Sequence, residues 1–464
     1  VFIEVVQDCY YEVEYIAPSM DHHFEKFSLS NDIYGQASTK IYFAPEIFAR
    51  MAINKLKEQK VIKDDLVFIH QAMKKAAYIF INNKIHGLSL EEYIQKVCKH
   101  NGSSYVANEK STRRIYQTLL NAHVYFNAGA PSSHIKKNLS SSNLEVFTTS
   151  YRRGDILGVI APGNGIGVHC IWLQALSAGY KVVLRPSEKE PFTLDRLVRA
   201  LVAAGLENYV AMIPTEHHTI PSIIDNCDLN LFYGTKEVLE PYQERANVLT
   251  QGPGHSSIII GSDFETEKSY QLIYKSMTEL NGTSCKCATH VYLEDYNLKF
   301  VQEFVTYIKT KFISDKERNR LHRMEKNKFS KLKNELEKKE ISMVGLPSYV
   351  EIEKNVIQYS PLVYVTFDPQ QSVKIDTPLC AIVFSQLDLK NLIKDTSEAL
   401  IVTIATKNQN IINNTEKSES IKNIYLGNIP TTFFDLSLPH DDYLYSFLMK
   451  SRGYINKDII NDTQ

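Results

Sequence analysis

An α/β fold of two domains with parallel sheets is what this 464-residue chain predicts, and three observations carry the prediction. From Tyr151 onward, short apolar runs, glycine turns and helical stretches alternate: DILGVIAPGNG, VHCIWLQALSAGY, KVVLRPSE, a helix over 193–204, then YVAMIP, a further helix and NLFYG. Parallel strands must be joined by crossovers, so this alternation is how βαβ units look in sequence. A break at GPGHSS is followed by a fresh apolar strand, IIIGSDFE, and a helix over 265–280, which opens a second α/β set. With 44% hydrophobic and 23% charged residues, the chain can bury two or three sizeable cores.

Ahead of the alternating region, residues 1 to about 140 form an α-rich lead-in. Apolar residues recur at helical spacing over 69–85 and 90–99, between short β-rich runs such as IYFAP and VFIHQ. Farther on, the stretch 311–340 interleaves charges of both signs and predicts a solvated helical pair rather than a nucleic-acid arm. The tail is aromatic and β-prone (NIYLGNIPTTFFDL) and closes on PHDDYLYSFLMKSRGY, which predicts a terminal helix after a turn.

A formal net charge of −1 supplies no general attraction to nucleic acid or to anionic membranes. No apolar run approaches the roughly 20 residues of a membrane-spanning helix. VFIEVVQDCYYEVEYI has neither a basic leader nor a long apolar core, so no signal peptide is expected. Seven cysteines at 9, 98, 170, 227, 285, 287 and 380 follow no disulfide framework, which predicts a reducing, cytoplasmic setting.

The stretch NGTSCKCATH, 281–290, concentrates the chemistry. Cys285, Cys287 and His290 could be metal ligands, but structural zinc uses C-x₂₋₄-C spacing with a second ligand pair, and none is visible; no metal is expected. A redox pair prefers C-x-x-C. Two buried thiols packing as small hydrophobes remain an ordinary alternative. Against it stands the turn-forming Asn281-Gly282-Thr283-Ser284, which lets the Cys285 thiol project at a loop and attack a carbonyl carbon.

Gly282, Cys285 and the strand through Leu293 resemble the nucleophile motif of the aldehyde dehydrogenase superfamily, and three other motifs arrive in that superfamily's order. APGN, ending in Asn164, resembles the stretch whose amide, with the backbone N–H of the nucleophile, stabilises the tetrahedral oxyanion. KVVLRPSE resembles the strand end that grips the adenosine ribose, which marks Arg185, Ser187 and Glu188. FYGTKE, with Gly234 and Thr235, resembles the turn under the cofactor pyrophosphate. By contrast, Gly163, Gly165 and Gly167 are spaced G-x-G-x-G and do not form the ordinary dinucleotide fingerprint.

The hydrolytic members of this superfamily carry a water-activating glutamate where LTQGPGHSS has Thr250, and threonine is no general base at neutral pH. The resemblance therefore implies a branch whose acyl-enzyme is made from, or released to, a thiol. DTPLCAIVFSQLDLKNLI and the C-terminal stretch are similar to segments of acyl-CoA reductases of the LuxC type. It implies NAD(P)H as cofactor, with NADH favoured because a carboxylate at Glu188 repels a 2′-phosphate, while Arg185 and Lys189 leave NADPH open. The substrates implied are an acyl-CoA or acyl-carrier thioester and an aldehyde. Oxidation of an aldehyde by the same cysteine and a non-catalytic scaffold are the alternatives.

His255 is read as touching cofactor or bonding backbone, and His440 with Asp441 as a substrate-orienting pair or a turn. Cys287, His169 and Cys170 are read as packing residues. The domains expected are a cofactor-binding unit (1–140 and 155–252), a catalytic unit (253–435), and a β oligomerisation arm (141–154 and 436–464) that makes a homodimer or higher oligomer.

Overall fold

The computed structural model describes residues 10–59, 65–131, 137–139, 144–366 and 375–457. Its first large sheet is parallel and five-stranded, in the order Val248–Gln251, Leu229–Tyr233, Ile156–Ile160, Lys181–Arg185, Val210–Met212. Both faces are covered, so the strand Ile156–Ile160 is buried at every position instead of alternating with solvent. Its side chains divide by twos. Leu157 and Val159 join the core made with helices Asp65–Asn82, Leu90–Asn101, Tyr105–Asn127, His169–Ser177 and Phe192–Ala203. Ile156 and Ile160 join the opposite core, with Phe48, Ala52 and Leu56 of helix Glu46–Glu58 and Ile223 of helix Ile220–Asn226.

The second large sheet has seven strands, Ser342–Met343, Leu362–Val365, Ala381–Gln386, Ala288–Leu293, Ser256–Ile260, Ile401–Ala405 and Asn423–Leu426, parallel except at the first pair. A third, antiparallel sheet joins Met449–Lys457, Leu144–Arg152 and Lys137–Leu139.

Chain order reverses at Ile156–Ile160 in the first sheet: the next two strands lie on one side and the last two on the other. Ligands of open α/β sheets bind outside the strand C-termini at such a switch point, and the loop carrying Asn164 leaves from this strand end. Between Gln251 and Ser256 four residues connect the two sheets, so the C-terminal ends of the first lie near the N-terminal ends of the second. That crevice positions the site.

Three expectations change. VFIHQ is β-rich by composition but lies inside helix Asp65–Asn82, where Ile69, Ala72 and Met73 are buried at helical spacing. The charged stretch 311–340 holds two helices after the end of helix Leu298–Ile313, the four-residue Asp315–Arg318 and Lys326–Glu337, but strand Arg323–Glu325, with Met324 buried in the second core, separates them. Residues 436–448 do not belong to the arm. Leu444, Tyr445 and Leu448 are buried in the first core, because that short apolar helix packs against helices Tyr105–Asn127 and His169–Ser177.

Candidate active site

Cys285 sits between a helix and a strand whose ends are pinned. Helix Thr266–Thr278 gives way to a 3₁₀ turn, Glu279–Gly282. There Gly282 adopts φ +79°, and a Cβ on it would lie 2.7 Å from Cys380 Cα. Only a glycine meets both conditions without strain. Thr283 N donates to Leu280 O (3.1 Å) and Cys287 N to Ser284 O (2.9 Å), closing a tight turn around the nucleophile candidate. From the connection between the two sheets, Gly254 presses against the same turn: a Cβ there would lie 1.8 Å from Cys285 O. Ser256 Oγ donates to that same carbonyl at 3.3 Å.

Asn164 Nδ2 donates to Thr283 O at 3.0 Å, so the structure brings the Asn164 loop and the Cys285 turn together across more than a hundred residues. The two cysteines then part company. Cys287 is 2% exposed, its thiol donates to Glu279 O at 2.9 Å, and burial pushes its pKa up. His290 lies on strand Ala288–Leu293, its Nε2 3.0 Å from Ser385 Oγ. The three sequence-neighbours are thus not gathered as ligands, and among the described residues no group of three or more His, Cys, Asp or Glu is placed to hold a metal.

Cys285 instead faces a residue that sequence reasoning left open. Its Sγ is 3.2 Å from His440 Nε2, and His440 Nδ1 is 2.5 Å from Asp441 Oδ2. Asn423 Nδ2 holds the His440 carbonyl at 2.7 Å. Burial works to raise the Cys285 thiol, but the charge and hydrogen bond of His440, with Lys286 nearby, outweigh it and hold the thiol below its ordinary range. Burial likewise opposes a charged His440, yet Cys285 and Asp441 raise it to about 10. The surroundings therefore favour a thiolate–imidazolium pair, with a carboxylate behind the ring. A histidine-aspartate step just ahead of a buried apolar helix was the available signal; the 155-residue separation hid its partner.

Lys286 points the other way. Its Nζ lies 4.7 Å over the Phe434 ring and 3.9 Å from Glu279 Oε1. Lys110 and Arg114, from helix Tyr105–Asn127, also reach Glu279, at 3.3 and 3.1 Å. Burial favours neutral Glu279, but these three cations hold its pKa below the usual range.

The residues marked for a cofactor lie at the C-terminal ends of the first sheet. Ser187 and Lys189 press on the Asn164 loop: a Cβ on Gly163 would lie 2.5 Å from both Ser187 Oγ and Lys189 Cβ. Glu188 accepts from Ser28 Oγ through Oε2 at 3.1 Å. Its Oε1 has His217 Nε2 at 4.0 Å, beyond hydrogen-bond reach, which suits a ribose hydroxyl. Arg185 departs from expectation. It is 2% exposed, with Nη2 and Nη1 donating to the Thr215 and Pro186 carbonyls at 2.8 and 3.3 Å, so it braces the loop from beneath, while its buried Nε has no hydrogen-bond partner among the described residues. Gly234 N donates to Gln251 O at 3.2 Å, and Thr235 begins the short helix Lys236–Leu239. Its hydroxyl bonds to Glu237, whose carboxyl is held low by that bond.

Thr250 lies on strand Val248–Gln251, paired in register with Phe232. His255 sits between the two sheets in the left-handed region, φ +44°. His169 and Cys170 pack as read: both are 1% exposed, and His169 Nδ1 accepts from Trp172 Nε1 at 3.0 Å.

The chain is 26% identical over 251 residues to malonate-semialdehyde dehydrogenase 2 of Oceanobacillus iheyensis, a match covering 51% of this chain and 50% of that protein. It therefore spans about half the length of the curated relatives it matches. Among solved structures, the NAD+ complex of an aldehyde dehydrogenase from Bacillus cereus superposes with a TM-score of 0.76 at 15% identity, over 96% of this chain and 97% of the other. The glyceraldehyde-3-phosphate dehydrogenase GapN of Methanocaldococcus jannaschii, complexed with NADP, gives 0.75 at 16% identity, over 94% and 100%. These likenesses are of fold. The model of the aldehyde dehydrogenase family matches residues 72–355, well over half of the chain, and the chain belongs to that family.

Proposed function

We propose that the protein interconverts an acyl thioester and an aldehyde through an S-acyl Cys285, with NAD(P) as redox partner, and that it runs as a reductase of acyl-CoA or carrier-bound acyl groups. The observation that carries this reading is the group set against the sulfur. It is an imidazole backed by a carboxylate, while the position of the hydrolytic members' glutamate holds Thr250. An acyl-enzyme with no carboxylate base at that position is suited to exchange with a thiol rather than to hydrolysis.

In the reductive direction the Cys285 thiolate attacks the thioester carbonyl. The oxyanion that forms would take hydrogen bonds from the Cys285 backbone N–H and from the Asn164 amide, whose Nδ2 is held at the Cys285 turn by the Thr283 carbonyl. Cys285 keeps the acyl group as the thiol departs and releases it as aldehyde when the thiohemiacetal collapses. A reduced nicotinamide, when bound, supplies the hydride for that conversion. Ser187, Glu188, Gly234 and Thr235 would hold its nucleotide, Glu188 by accepting from ribose hydroxyls, with Arg185 beneath them as a brace. The carboxylate of Glu188, which would accept from ribose hydroxyls and repel a 2′-phosphate, supports NADH over NADPH.

The first sheet and its helices serve as the cofactor unit, and the second sheet as the catalytic unit. The antiparallel sheet of Leu144–Arg152 and Met449–Lys457, with Tyr454 and Ile455 exposed, serves as the arm of a homodimer in a cytoplasmic enzyme. Among the described residues no helix is long and apolar enough to cross a membrane. A second reading, oxidation of a semialdehyde by the same thiolate, draws on the names of the curated relatives.

The test is a panel of acyl-CoA thioesters of increasing chain length with NADH or NADPH, followed by loss of nicotinamide absorbance and by aldehyde trapping. Aldehyde formed from thioester supports the reductase. Turnover confined to aldehyde plus oxidised cofactor, with free acid as product, overturns it.

A further inference from the structure

We infer that His440, oriented by Asp441, is the proton-transfer residue of the Cys285 centre: it gives its Nε2 proton to the departing thiolate when Cys285 is acylated and recovers one when a thiol attacks in reverse. The inference rests on the thioester reading and adds to it a residue and a separable activity, exchange of the acyl group between thiols without nicotinamide.

The geometry has the three parts such a step needs. Nε2 lies 3.2 Å from Sγ, so the proton sits beside the sulfur that forms the new bond and beside the carbon that sheds the old one. The 2.5 Å contact between Nδ1 and Asp441 Oδ2 fixes the ring, with Nδ1–H donating to the carboxylate and the Nε2 edge left for the reaction. The loop is not free to swing. Asn423 Nδ2 holds the His440 carbonyl at 2.7 Å, and Leu444 anchors the following helix in the first core. The titratable and charged groups around the pair are Asp441 on the same loop, Tyr233 at the end of Leu229–Tyr233, and Lys286, which acts at longer range because its Nζ is turned toward Glu279. Lys286 favours the thiolate, Asp441 the imidazolium, and the buried Tyr233 hydroxyl has its pKa pushed up, so it stays neutral.

The step balances without a redox partner. The thiolate forms the S–C bond and the carbonyl π pair moves to oxygen. As the carbonyl reforms, the C–S bond to the leaving thiol breaks, its electron pair goes to the leaving sulfur, and the imidazolium proton follows. His440 is left neutral with Asp441 still accepting from Nδ1. A second thiol then returns a proton to Nε2 as its thiolate attacks, and Cys285 leaves. An alkyl thiolate such as that of CoA gains from the proton, whereas an aryl thiolate leaves readily without it.

The experiment compares wild-type protein with His440→Asn, His440→Gln and Asp441→Asn, without nicotinamide, at about pH 9.5; any loss of thiolate in a variant falls equally on both esters used, so the difference between the esters reads proton transfer. Acylation of Cys285 is read as acyl adduct by intact mass and as released thiol, from an acyl-CoA and from the matching acyl thiophenol ester. The expected result for the His440 variants is a loss of roughly 10²- to 10⁴-fold with the CoA ester, a much smaller loss with the thiophenol ester, and partial rescue by added imidazole. Equal losses on both esters, or no loss on the CoA ester, overturn the proton-transfer role.

A second readout is alkylation of Cys285 by iodoacetamide across pH. In the wild type it stays fast below the ordinary thiol range, and in His440→Asn its midpoint moves up toward ~8.5. An unmoved midpoint also overturns the inference. Wild-type protein that exchanges thioesters but forms no aldehyde sinks the reductase reading and leaves His440 standing. Wild-type protein that takes no acyl group from either ester sinks both.

Discussion

Cys285 and Cys287 are one residue apart, and the two sides of their turn are different solvents. On one side lie His440, Asp441 and the end of the Asn164 loop, and the thiol is drawn down toward thiolate. On the other lie the Glu279 carbonyl and the second core, and the thiol is pushed up. Nothing in C-K-C distinguishes the sulfurs. What separates them is a tight turn that sends one sulfur to a crevice and the other to the buried Glu279 carbonyl, and an imidazole that reaches only the first. The lesson is that reactivity belongs to the environment, since desolvation acts on both thiols and only a nearby cation reverses it.

The most direct way to break this contrast is to remove the sulfurs in turn. Cys285→Ala should abolish acyl transfer, by ~10⁴-fold or more, because removing the nucleophile of such a centre removes its action as a unit. Cys287→Ala should retain turnover. Acyl adduct by intact mass and steady-state rates check both. Next comes Asn164, the proposed oxyanion donor: Asn164→Ala should lower kcat by about 10² to 10³ with little change in alkylation of Cys285, since an amide in that role acts on the developing oxyanion and not on the thiol.

Gly254→Ala sharpens the contrast by geometry alone. A methyl placed 1.8 Å from the Cys285 carbonyl must push the turn aside. A shift of ~1 Å at a reacting group costs on the order of 10²-fold in rate, which kinetics should show together with slower alkylation of Cys285.

A smaller expected effect is selective labelling at pH 7, where an ordinary thiol of pKa ~8.5 is about 3% ionised. Cys285, whose pKa His440 holds below the ordinary thiol range, should react with iodoacetamide severalfold or more faster than Cys98, Cys170, Cys227, Cys287 or Cys380, as peptide mapping would show. The sign follows from the shifts. The thiolate is lost as pH falls through the lowered Cys285 pKa, and the imidazolium is lost as pH rises through about 10. Alkylation should therefore fall only on the acid side, and proton-assisted thioester exchange on both. The least effect is on stability. Cys287→Ser should cost about 1 kcal/mol in urea unfolding, because a buried thiol is replaced by a smaller, more polar group that can still donate to Glu279 O.

Much of this was legible in the chain. The strands of the first sheet are short apolar runs bounded by glycine turns, and a doubly covered parallel sheet demands that composition at every position. Gly282 and Cys285, Asn164 and Glu188 stood in motifs whose order pointed to one family. Misreadings came where local composition and tertiary contact disagree. VFIHQ has β-rich composition, yet its apolar residues land on the buried stripe of a long helix. Arg185 stands where a cationic grip is expected, but its depth turns the guanidinium toward carbonyls.

By itself, the sequence determined the α/β class, the family motifs and the choice of Cys285, because these depend on residue type and short spacing. Only the tertiary structure decided that His440 and Asp441 serve that sulfur. A hydrogen bond across 155 residues depends on where a turn and a buried helix come to rest, and no local pattern records it.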